Sequence, residues 1–134
     1  LNPKFKVDVR GVTWAQYLSL YRDGKLPLWI IGWAADYPDP DNFVSPYMHS
    51  TGTYAGAQGY KNPQVDDLLK KARTLSNMEE RKKLYEQASR IVVEDAADIW
   101  IYNTKWYGPH RKNVKGVRFC PIGDGQECRW LSMG

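Results

Sequence analysis

From Lys4 to Val12 the chain reads KFKVDVRGV, with Phe5, Val7 and Val9 alternating against Lys6, Asp8 and Arg10. A period of two places the two sets on opposite faces and predicts a half-buried strand. Thr13 stands three residues before Gln16, the spacing of a capping box. Trp14, Tyr17, Leu18 and Tyr21 then share one face of a helix that Asp23-Gly24 stops. Leu26 to Trp33 is almost continuously apolar, as in a strand of a parallel sheet covered on both faces. Strand, helix and strand together predict a βαβ unit.

Pro38 and Pro40 end the second strand, and residues 39–59 read as a loop with one short helix near Asn42 to Tyr47. Asn62-Pro63 is an N-cap followed by proline at the first helical position. Val65, Leu68, Leu69, Ala72 and Leu75 then repeat at helical spacing. Ser76 and Glu79 predict a second capping box, after which Leu84, Ala88, Ile91, Val92 and Asp95 keep the period through a long helix. Asp98 to Tyr107 is β-branched and aromatic, hence a strand, and the tail from Lys112 reads as a further strand and a β-hairpin. The order β-α-β-loop-α-α-β-β predicts an α/β domain, a mixed sheet flanked by helices.

A length of 134 residues fits one domain with a real core. Aromatics reach 13%, including 6 Trp and 9 Tyr, and such side chains suit clefts and interfaces. The net charge of +4 is spread along the chain and gives little reason to invoke nucleic acid; the basic and aromatic alternation of 103–119 reads as a strand with a solvated face. No apolar run of about 18 residues exists to predict a membrane helix. The chain opens without Met or a signal peptide, inside a strand approach, so a longer parent protein is expected. Cys120 and Cys128 bracket IGDGQE, whose Gly-Asp-Gly is a turn signal, and make a disulfide candidate that implies an oxidising compartment. Two free thiols or half a metal site are the alternatives.

The chemistry concentrates in GWAADYPDPDNF, residues 32–43, at the carboxyl end of the apolar strand, where ligands of open α/β sheets gather. Asp36, Asp39, Asp41 and Asn42 offer oxygen ligands, but without the spacing of a calcium loop, so no metal and no cofactor are expected. Asp39 and Asp41 lie between prolines in a solvated turn, which lacks the buried acid a glycosidase needs, and no Ser/His or Cys/His set offers itself. Turning and capping is their expected work. Asp36 differs because it follows a buried strand: its charge needs either a Lys or Arg of the protein or a ligand ammonium. Trp33 is the ring best placed to face a ligand, with Tyr37 beside it. His49 and His110 are expected on the surface or in loops.

GWAADYPDPDNF, GYKNPQVDDLLKKA, MEERKKLYEQASRIVVEDAADIWIYN and NVKGVRF, in that order, resemble the carboxy-terminal portion of the peptide/oligopeptide/nickel class of substrate-binding proteins, the family 5 extracellular solute-binding proteins of ABC importers. The resemblance implies part of one lobe of a two-lobed periplasmic-binding-protein (type II) fold. Residues 1–111 would belong to the C-terminal lobe and 112–134 to a tail returning to the other. It further implies a non-enzymatic receptor, periplasmic or extracellular, held at the membrane by its transporter or a lipid anchor, delivering a di- or oligopeptide to a permease. Asp36 would anchor the ligand α-amino group, and the backbone of Gly32 to Ala34 would pair with the peptide. An oligosaccharide or nickel complex is the alternative ligand, a carbohydrate-active enzyme or a pure interaction module a more distant one. Strand edges cut from their lobe would favour self-association.

Overall fold

In the computed structural model the described residues are 2, 4, 6–105, 107–120, 122 and 128–134. They form two compact units, 1–30 and 31–134. In the first, helix α1 (Trp14–Arg22) opens on the expected capping box, the Thr13 hydroxyl accepting from Gln16 N–H while the Gln16 side chain accepts from Thr13 N–H. Its aromatic face is a ladder: Trp14 stacks on Tyr17 at 5.4 Å, Tyr17 on Tyr21 at 6.3 Å, and Trp29 meets the Tyr21 ring edge-on at 5.1 Å. Gly24, at φ 63°, turns the chain out of the helix as Asp23-Gly24 predicts.

The second unit is built on four helices: α2 (Pro40–Met48), α3 (Thr53–Gln58), α4 (Pro63–Thr74) and α5 (Met78–Glu94). Asn62 caps α4 with Pro63 at its first position, as expected. The cap of α5 is Asn77 rather than Ser76: its side-chain oxygen accepts from the N–H groups of Glu79 and Glu80. Asn reaches the second and third amides of the turn as well as Ser, so the capping-box spacing pointed one residue too early. Helix α3 was not expected; it is short and starts at Gly52, where an added Cβ would collide with the carbonyls of Ser45 and Pro46. Val65, Leu69 and Ala72 of α4 pack against Tyr85, Ala88 and Val92 of α5, and Met48 of α2 closes the cluster. These seven residues are the core predicted from the helical period, extended by Met48 and Tyr85.

The predicted parallel sheet is absent among the described residues. Residues 6–12, 26–33 and 98–105 run without regular structure, and the ladder present is a short antiparallel pair, β1 (Val114–Lys115) with β2 (Ser132–Met133). A helix satisfies its own backbone, whereas a strand needs a neighbour at about 4.8 Å, and these segments find none here. Their apolar side chains stay outside: Val9 is 89% exposed and Ile99 79%. The Gly-Asp-Gly turn of the expected hairpin lies outside the described residues, as does the side chain of Cys128, while Cys120 is a half-buried free thiol.

Candidate functional site

The acidic stretch divides at Pro38. Upstream, Ala35 is fully buried and pins the segment, while Gly32, Ala34 and Asp36 on the alternate positions are exposed. Trp33 is half-buried, meets Tyr54 edge-on at 5.8 Å, and donates its indole N–H to the main-chain oxygen of Asn42 at 2.7 Å. The Asn42 side-chain oxygen lies 3.3 Å from the same indole nitrogen and accepts the Asp36 backbone N–H at 2.8 Å. Among the described residues, the N–H and C=O groups of Ala34 make no backbone hydrogen bond, and the Gly32 carbonyl meets only the Tyr54 hydroxyl, at 3.5 Å. A Cβ placed on Gly32 would meet nothing within 4 Å.

Downstream, every acid is engaged. Asp39 caps α2, accepting from Asp41 N–H at 2.8 Å, and is gripped from both sides by the Arg81 guanidinium of α5 at 2.6 and 2.9 Å. The Arg81 hydrogen bonds hold its carboxyl below the usual carboxylate range. Asp41 takes Ser45 Oγ at 2.6 Å and Arg73 Nε of α4 at 2.9 Å, and that contact raises the Arg73 guanidinium further. Capping is therefore the work of Asp39, as expected, whereas Asp41 lies inside the first turn of α2 and ties Ser45 and Arg73 instead of capping or turning.

Asp36 departs from its expectation. The carboxylate is exposed rather than buried, because the apolar run before it is not enclosed in a sheet. Among the described residues it has no ion-pair or hydrogen-bond partner, so the Lys or Arg that would have explained it structurally is not there. Tyr37, 47% exposed, reaches over a small polar hollow of about 220 Å³ shared with Asp41, Ser45, His49 and Arg73. Of the site residues read from sequence, Gly32, Ala34, Asp36 and Tyr37 are exposed, Trp33 is half-buried on the alternate side, and Cys120 stands apart from them in chain order.

Sequence reasoning missed three residues of this region. Nothing local in the sequence singles out Arg73 and Arg81, whose guanidinium groups reach Asp41 and Asp39 from α4 and α5. His49, expected on the surface or in a loop, lies in the loop after α2 but is only 8% exposed: its Nδ1 accepts from the Thr51 N–H at 3.2 Å and lies 3.8 Å from Asp66, whose carboxylate takes both donors of Ser50. Burial pushes Asp66 up, but Ser50 and the neighbouring His49 and Lys70 outweigh it and leave the carboxyl lowered. Among the described residues, no group of three or more His, Cys, Asp or Glu side chains is placed to hold a metal ion.

Comparison with known proteins adds the context. Residues 2–55 match the model of the bacterial extracellular solute-binding proteins, family 5 (middle part). The chain is 38% identical over 123 residues to heme-binding protein A of Haemophilus influenzae, covering 90% of this chain and 22% of that protein. It is 31% identical over 121 residues to di/tripeptide-binding protein 4 of Pseudomonas aeruginosa, with 89% and 23% covered. Against the dipeptide-binding protein of Escherichia coli it is 31% identical over 124 residues, with 90% and 23% covered. The chain therefore spans less than a quarter of the length of these relatives. Similarity along nine-tenths of the chain, together with the family match over the acidic stretch, makes it a member of the bacterial extracellular solute-binding proteins, family 5.

Proposed function

We propose that this chain forms part of one lobe of a two-lobed, extracytoplasmic receptor that captures di- or oligopeptides and hands them to an ABC permease, without catalysis. The observation that carries the reading is the pairing of a free acid with a free backbone edge. The Asp36 carboxylate is exposed and without a partner among the described residues, two residues after Ala34, in a segment 32–34 that makes no backbone–backbone hydrogen bond among the described residues. An ammonium–carboxylate pair closed off from water is strong and directional, and an added strand satisfies peptide backbone independently of side chains. Trp33 and Tyr37 would supply ring walls, residues 112–134 would return to the second lobe, and a periplasmic location accords with a relative named as a D,D-dipeptide-binding periplasmic protein. The exposed side chains of Leu28, Ile30, Ile99, Trp100, Ile101 and Tyr102 would be covered in the full-length receptor and would drive self-association of the isolated chain.

Replacing Asp36 by Asn in the full-length receptor tests the anchor. Calorimetry with short alanine peptides is expected to show about a hundredfold loss for free amino termini, the cost of removing one partner of a desolvated charge pair. Equal affinity in the variant would remove Asp36 from this role. The similarity to heme-binding protein A favours a second reading, in which the same fold takes a different solute. Native mass spectrometry of the receptor purified without denaturant separates the two: a ladder of peptide masses supports the first reading, and a single non-peptide mass the second.

A further inference from the structure

We propose that Asn42 is the positioning residue of the Asp36 anchor, holding the acid and the Trp33 ring in one fixed relation; this rests on the anchor reading above. Asn42 is buried in the first turn of α2, yet its side chain turns back to the segment before the helix. Both groups it meets are donors, the Asp36 N–H at 2.8 Å and the Trp33 indole N–H at 3.3 Å, so the oxygen of its amide must face them. Its main-chain carbonyl is also diverted. The helical partner of that carbonyl would be the N–H of residue 46, but residue 46 is proline and has none. The Trp33 indole N–H takes the vacant acceptor at 2.7 Å.

One residue thereby secures two upstream groups through two different oxygens. Holding the Asp36 N–H restrains the backbone from which its Cβ leaves, so the carboxylate starts from a narrower range of positions when it meets an ammonium. Such preorganisation raises affinity by reducing the ordering that binding would otherwise require. Asn42 is not a member of the apolar cluster of α2, α4 and α5, so its hydrogen bonds serve the segment 33–36 rather than the core.

A double-mutant cycle in the full-length receptor tests this, with a pool of di- to tetra-alanine peptides as probe and calorimetry as readout. Asn42→Ala is expected to weaken binding about tenfold in the presence of Asp36, the scale of a buried donor left unpaired, and to have no further effect in an Asp36→Asn background. Asn42→Asp, which keeps the acceptor, should return affinity to within about threefold of the unmutated receptor. Should Asn42→Ala unfold, Asn42→Gln, which moves the amide away by one methylene, takes its place in the cycle. Equal losses in both backgrounds would overturn the positioning role while leaving the anchor intact. An Asp36→Asn variant with unchanged affinity, or a receptor blind to these peptides, would overturn the anchor and this inference with it.

Discussion

Residues 39–42 and residues 32–36 belong to one acidic stretch and behave in opposite ways. In the first, Asp39 and Asp41 are consumed by the fold: a cap, a serine and two arginines from α4 and α5 satisfy them. In the second, Asp36 offers its carboxylate to solvent, and residues 32–34 before it make no backbone–backbone hydrogen bond among the described residues. Acids with equal intrinsic chemistry thus divide by what faces them. The two clasped acids anchor α2 to the helical hairpin, and α2 in turn holds the free one through Asn42.

The division can be broken from the clasped side first. Arg81→Ala strips Asp39 of its bidentate partner and should lower stability by about 1–3 kcal/mol, seen as a reduced urea midpoint. Acidification should act on the same contact. The folded Asp39 carboxyl is depressed by Arg81, so its contribution is complete above the unfolded value of about 4 and is lost as pH falls through the lower folded value. Urea midpoints measured from pH 6 downward should therefore fall only below about pH 4, and the fall should be shallower in Arg81→Ala.

Smaller effects are expected further out. The Arg73 and Asp41 pair has an arginine side chain 45% exposed, so Arg73→Ala should cost about 0.5–1 kcal/mol, and the loss should shrink in high salt. Gly32→Val meets open space in the chain and should shift thermal stability little while weakening peptide binding about tenfold, because the added side chain occupies the face an incoming backbone would approach. Asp36→Asn completes the series: within about 0.5 kcal/mol of unchanged stability, with its loss confined to ligand affinity. A destabilised Asp36→Asn would mean that the acid serves the fold and that the two regions do not differ.

Several features could be read from residue order alone because they are settled within a few residues. The Thr13–Gln16 capping box, the Asn62-Pro63 start, the Asp23-Gly24 stop and the apolar period of α4 and α5 depend on neighbours at i+3 and i+4, and each is present. The capping role of Asp39 was legible for the same reason, whereas the exposure of Gly32, Ala34 and Asp36 was not, because the run before them reads as a buried strand. Tertiary structure decided the rest. Whether 4–12, 26–33 and 98–107 become strands depends on backbone partners distant in the chain, which alternation and β-branching do not specify. The arginine partners of Asp39 and Asp41 come from helices more than thirty residues away, and the diversion of the Asn42 carbonyl needs both Pro46 and the approach of Trp33. The identity of each acid was written in the sequence; whether a cation of the protein would face it was settled only when α2, α4 and α5 came together.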